Sequence, residues 1–248
     1  MTALKTRAAS AAVALLALTS GAGCAPFQGV GRAWWEGRRD SSEQAPDPAT
    51  STEPVVQVYA ARAVGWRGVF AVHTWIAVKP RGAPAYTRYE VIGWGVDRGA
   101  APVRVNRMGP DNYWFGARPD LLVDHRGDGV DAMIEKVEAA VRAYPYPASY
   151  RTWPGPNSNT FTAYVGRAVP ELRLELPPTA LGKDYLPGGA LVARSPSGTG
   201  VQLSLFGVVG VLAGIDEGFE VNVFGLTFGV AVKRPALKLP IVGRVPQT

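Results

Sequence analysis

His73-Thr74-Trp75-Ile76-Ala77-Val78 and Asn157-Ser158-Asn159-Thr160-Phe161, whose Ser158 falls 85 residues after His73, are the stretches on which the fold is read. The first is an imidazole at the head of an apolar, β-branched run, the pattern of a buried strand. The second follows the Pro/Gly-rich loop Tyr146–Pro156 and consists of residues that cap helices, so it reads as a helix start. Outward from the first, a strand spans Val69 to Val78 and stops at Lys79-Pro80. The two prolines and glycine of Pro80–Pro84 then make a turn. Tyr86–Val96 follows as a strand, with Val55–Tyr59 before the pair and Val103–Val105 after it, an antiparallel meander. Outward from the second, a helix runs over 158–169 until Pro170. Upstream, Val130, Met133, Ile134, Val137 and Val141 recur at spacings of three and four, so residues 130–144 form an amphipathic helix. The fold class is α+β: an antiparallel sheet packed with at least two helices.

These two stretches also hold the chemistry. A helix start presents unpaired N–H groups and a partial positive charge, which favour an anion or oxyanion. Ser158 at that start is the candidate nucleophile, and His73 from the sheet is the candidate base. If residues 73–79 pair with 86–94 through the turn, His73 lies near Ile92, and Glu90 sits on the same face two places away. Glu90 is therefore the candidate group that orients the histidine, and a register change of one residue would remove it. Backbone N–H groups of Ser158 and Asn159, with the Asn157 side chain, are candidates for an oxyanion site. The plainer reading is that Asn157 and Ser158 only cap the helix and that His73 is a hydrogen-bonded core residue.

In order and content the two stretches resemble the circularly permuted papain-like hydrolases: permuted NlpC-type cell-wall peptidases, PPPDE isopeptidases and the lecithin–retinol acyltransferase group. In those families a strand histidine precedes an Asn-Cys-x-x-Phe helix start. Tyr150 echoes an aromatic found ahead of their cysteine. The resemblance implies a papain-like domain over 55–190 that acts on an amide or ester bond. Ser158 stands where those families carry cysteine, a change that also produces inactive binding pockets. The chain from Val55 to about Pro187, with its His-Thr-Trp-Ile and Trp-Pro-Gly-Pro-Asn-Ser-Asn-Thr-Phe segments, further resembles a bacterial family known as domain of unknown function 3750. That family has no agreed activity.

The N-terminus reads as an export signal: Lys5 and Arg7, an apolar run Ala8–Leu18, then Thr19-Ser20-Gly21-Ala22-Gly23-Cys24. The run is shorter than the roughly 20 residues of a membrane-spanning helix. Small residues before Cys24 resemble a bacterial lipobox, with Gly21 a departure from it, so residues 1–24 are expected to be a lipoprotein signal and Cys24 the lipidated residue. This places the protein on the periplasmic face of a bacterial envelope. Ala25 favours the outer membrane weakly. Residues 25–54, rich in Pro, Ser and charge, read as a flexible tether, with Trp34 and Trp35 either at the membrane or against the domain.

Cys24 is the only cysteine, so no internal disulfide is possible. Removing residues 1–24 from the 248 leaves 224, enough to build a core. The formal charge of +6, of which the leader supplies two, is not gathered into a stripe, so no nucleic-acid partner is expected. The expected partners are the membrane, through the anchor, and a peptidoglycan or lipid substrate. Asp124, Asp128, Gly129 and Glu135 imitate a calcium loop, but Arg126 occupies a ligand position. With His73 and His125 the only histidines, no metal or other cofactor is expected. Residues 191–248 read as a long apolar β-hairpin with bulges near Gly207 and Gly225. Burial of both faces is the simpler reading of that hairpin, and contact with lipid is the functional one.

Overall fold

The computed structural model describes residues 34–246, so the leader and Cys24 lie outside the described residues. Among the described residues there are two antiparallel sheets and two α-helices, the expected α+β class. The first sheet has the order β4-β3-β2-β1-β5. Its strands are β1 (Val55–Arg62), β2 (Val72–Lys79), β3 (Thr87–Val91), β4 (Val103–Asn106) and β5 (Asp120–Arg126). The first four make the expected meander, and β5 returns to pair with the free edge of β1.

Helices α1 (Val130–Arg142) and α2 (Ser158–Ala168) cover one face of this sheet. Val56, Val58, Ile76 and Val78 meet Ile134, Val137, Phe161 and Val165 there in one core cluster. The opposite face carries a second, aromatic cluster of Val55, Tyr59, Trp75, Ala77, Tyr86 and Trp114. Burial of both faces explains why β2 lacks polar alternation. No helix among the described residues is long and apolar enough to cross a membrane.

The described part of the stretch expected to be a tether corrects that expectation. From Ser41 to Ala45 the chain wraps the buried carboxylate of Asp111, which accepts from Ser41 Oγ at 2.9 Å and from the Gln44 and Ala45 amides at 2.6 and 3.2 Å. Further on, the buried Lys79 ammonium donates to the carbonyls of Ser51 and Glu53, and the Tyr86 hydroxyl donates to that of Pro46. A proline-rich strap cannot join a ladder, but donors buried in the domain can hold its carbonyls.

The C-terminal region also differs from the single hairpin expected. It is a seven-stranded meander: β6 (Val192–Arg194), β7 (Gly200–Leu205), β8 (Val209–Gly214), β9 (Gly218–Val223), β10 (Leu226–Ala231), β11 (Ala236–Leu239) and β12 (Gly243–Val245). The sites read as bulges, at Gly207 and Gly225, are tight turns that cut each apolar run into short strands. Nor are both faces buried. The inner face carries Gln202, Ser204, Glu220, Asn222, Thr227 and Lys238, all buried, while Val201, Leu203, Leu205, Phe219, Val223, Phe228 and Val230 face outward and are exposed.

An ionic seam joins the inner face to the rest. Lys183 contacts Glu220; Lys238 reaches Glu220 at 2.6 Å and Glu175 at 2.7 Å; Arg244 reaches Glu175 at 3.0 Å. Each buried charge there has a partner, the condition under which burial is tolerated.

Candidate functional site

Pairing of β2 with β3 puts Trp75 opposite Glu90, the register expected from the turn. Glu90 is therefore diagonal to His73 on the aromatic face, and His73 Nε2 lies 2.9 Å from Glu90 Oε2. The same oxygen accepts from Arg88 Nη2 at 2.8 Å, and Oε1 accepts from Asn106 Nδ2 at 2.9 Å. Burial alone would raise the Glu90 carboxyl, but the His73 hydrogen bond and the Arg88 charge overcome it and hold it at about 2. Glu90 is thus a carboxylate whose position is fixed by three donors.

His73 stacks on Trp114, with ring centroids 4.0 Å apart. Burial lowers its pKa; Glu90 opposes that shift and Arg88 adds to it. The ring is neutral near pH 7. Its Nε2 carries the hydrogen given to Glu90, which leaves the Nδ1 lone pair as the basic site. Arg88, Asn106 and Trp114 were not legible as site residues. Arg88 and Asn106 become so once the β3–β4 register is known, and Trp114 comes from a loop that folds back over the sheet.

Ser158 is the first residue of α2, and Asn157 is its N-cap. The sheet fixes this helix start: Thr74 Oγ1 donates to Ser158 O at 3.2 Å, and Asn159 Nδ2 donates to Val72 O at 3.0 Å. Thr74 points toward the helix, so its neighbour His73 points to the other face. Both candidate groups nevertheless line one cavity of about 510 Å³. No hydrogen bond among the described residues joins the Ser158 hydroxyl to the His73 ring. Val64, Trp66, Phe70, Trp94, Tyr150 and Trp153 give this cavity a largely apolar wall.

The expected oxyanion donors are corrected. Asn157 Oδ1 accepts from the Asn159 and Thr160 amides at 2.9 and 3.1 Å, and its Nδ2 donates to Thr152 O and Leu181 O at 2.9 and 3.0 Å. The Asn159 side chain is equally occupied by Val72 O, Leu181 O and Thr74 Oγ1. Both asparagines bind the helix start to the sheet and to the segment around Leu181, and the Asn159 amide is consumed by the cap. Of the proposed donors, the Ser158 backbone N–H alone has no acceptor within the described residues.

A five-stranded sheet with a helix start at its end, a serine at that start and a buried His–Glu pair beside it define an α+β domain with a preformed cavity. A family model described as a protein of unknown function, DUF3750, matches residues 53–185. That is more than half of the chain, and the chain belongs to this family. The match ends before β6, so the C-terminal sheet lies outside it. No curated protein matches the chain. No solved structure matches it either.

Proposed function

We propose that the domain is a permuted papain-like acyl hydrolase or acyltransferase of the bacterial envelope, tethered through Cys24, with Ser158 as nucleophile, His73 as base and Glu90 as the group orienting it. The observation that carries this reading is the His73–Glu90 contact: it fixes the tautomer whose free Nδ1 can take a proton, on the wall of the cavity that Ser158 also lines. The Ser158 oxygen attacks the carbonyl carbon of a bound ester or amide while its proton passes to Nδ1. The tetrahedral oxyanion meets the Ser158 amide and the helix start, the leaving group takes the proton from His73, and water or an acceptor alcohol or amine releases the acyl group. The apolar wall suits an acyl chain better than a charged peptide, which favours a lipid ester over peptidoglycan.

A second reading, a non-catalytic envelope lipoprotein that binds such a ligand in the same cavity, is favoured by the occupied amides of Asn157 and Asn159, which leave one backbone donor for an oxyanion. A fluorophosphonate carrying an alkyl chain decides between them. Labelling that disappears in both Ser158→Ala and His73→Ala is the expected result. A folded protein that takes no label selects the binder.

A further inference from the structure

The C-terminal sheet is inverted relative to an ordinary surface sheet, since its polar side chains face the protein and its apolar ones face out. Contiguous exposed apolar area of this size marks an interaction surface. The turns at one end show what kind. The β7–β8, β9–β10 and β11–β12 turns carry Phe206, Phe224 and Ile241 at φ of 52°, 52° and 68°. The left-handed region suits glycine or asparagine and strains a bulky side chain. Yet Phe206 and Phe224 are 56 % and 67 % exposed, so most of their apolar surface is left in water by the isolated protein.

Charge is segregated along the same direction. Of the three turns at the opposite end, the β8–β9 and β10–β11 turns bear Asp216, Glu217, Lys233 and Arg234, and the β6–β7 turn is uncharged. At the Phe206–Phe224–Ile241 end the three turns carry no charge, and the elements packed beside them supply cations. Arg62 Nη2 donates to Ile241 O at 2.9 Å, Arg67 lies over the exposed ring of Trp66, and the Trp153 ring packs against Gly225. Residues 62–71, 150–158 and 203–210, with 222–228 and 237–245, contain no aspartate or glutamate. Apolar tips bordered by tryptophan and arginine match a bilayer, whose acyl region lies beneath a headgroup layer that favours indole and, when anionic, cations. Face-to-face pairing with a second copy would cover the strands but leave the tips at its rim in water.

We infer that this outer face and its three turn tips seat the domain on an anionic lipid bilayer, a contact separate from any anchor at Cys24. Trp66, Arg67 and Trp153 also line the cavity, so its mouth opens beside the membrane. The docking does not depend on whether Ser158 reacts.

The test uses the full chain with Cys24→Ala, so that an introduced thiol is the only one, carrying the environment-sensitive fluorophore NBD at Phe206→Cys, Phe224→Cys or Asp128→Cys. Asp128 is fully exposed on the first domain. With vesicles of phosphatidylethanolamine and phosphatidylglycerol, the labels at 206 and 224 gain emission and shift to the blue, and the label at 128 does not respond. Adding Phe224→Asn and Ile241→Asn, which relieve backbone strain, weakens the response at 206 by about tenfold for each side chain removed. Three outcomes overturn the inference: tip labels that stay in water with vesicles present, labels that respond alike at all three positions, or tip labels already shielded without lipid, which would mean that another protein surface covers the face.

Discussion

Replacing Glu90 by glutamine keeps the shape of the side chain and removes one charge. Glu90 and Arg88 are both fully buried, and Arg88 Nε and Nη1 already lack hydrogen-bond partners among the described residues. The Arg88 guanidinium lies over Trp75 at 4.0 Å, and its one carboxylate contact among the described residues is Glu90. Holding Glu90 near 2 instead of 4.5 corresponds to about 3 kcal/mol of favourable interaction in its charged form. Removing one member of a buried pair costs about 3–5 kcal/mol, because the remaining charge stays desolvated and unmatched. Glu90→Gln is therefore expected to lose about 3 kcal/mol in a urea unfolding titration at pH 7. Glu90→Gln combined with Arg88→Met removes both charges and should recover most of that loss. A loss below about 1 kcal/mol in the single variant, or no recovery in the double, would refute the reasoning that the Arg88 charge is held by Glu90.

The remaining predictions concern the helix start, the seam and pH. Asn157→Ala removes the cap of α2 and strands the carbonyl of Thr152, so it should cost about 2–4 kcal/mol by the same titration. Glu220→Gln removes the carboxylate shared by the buried ammoniums of Lys183 and Lys238, leaving Lys183 with only the distant Asp184, and should cost about 3 kcal/mol by the same titration. His73 is lowered in the fold, so the unfolded chain takes up a proton near pH 6.5 that the folded one refuses. Stability is therefore greatest above that pH and falls on acidification, and Glu90, held near 2, adds a further loss below about 4.5. Unfolding free energies measured from pH 8 to pH 4 should decline monotonically, with the decline below 6.5 smaller in His73→Phe.

The His73–Glu90 contact was legible because one turn, Pro80–Pro84, sets the β2–β3 register, and a register fixes every diagonal neighbour. The roles of Asn157 and Asn159 were not legible. Whether a cap amide is free depends on Leu181 and Thr152, which no spacing rule connects to the helix start. The C-terminal strands were misread for a local reason. Phe-Gly inside an apolar run looks like strand with a bulge, and only the backbone shows that Phe206 and Phe224 turn the chain. The strap over 38–54 looked unstructured because its partners, Asp111 and Lys79, are buried charges distant in sequence.

Catalysis by Ser158 requires first that residue 158 share its surroundings with His73 at a helix start. Cysteine at this position would report on that directly, since a thiol is depressed by a helix N-terminus and by a histidine that takes up its proton and pairs with the thiolate as imidazolium. In a chain carrying Cys24→Ala and Ser158→Cys, the pH dependence of alkylation by iodoacetamide should give a thiol pKa below about 7, well under the ordinary 8.5, and His73→Ala should move it back up. An ordinary value that His73→Ala leaves unchanged would mean that the two groups do not communicate across the cavity.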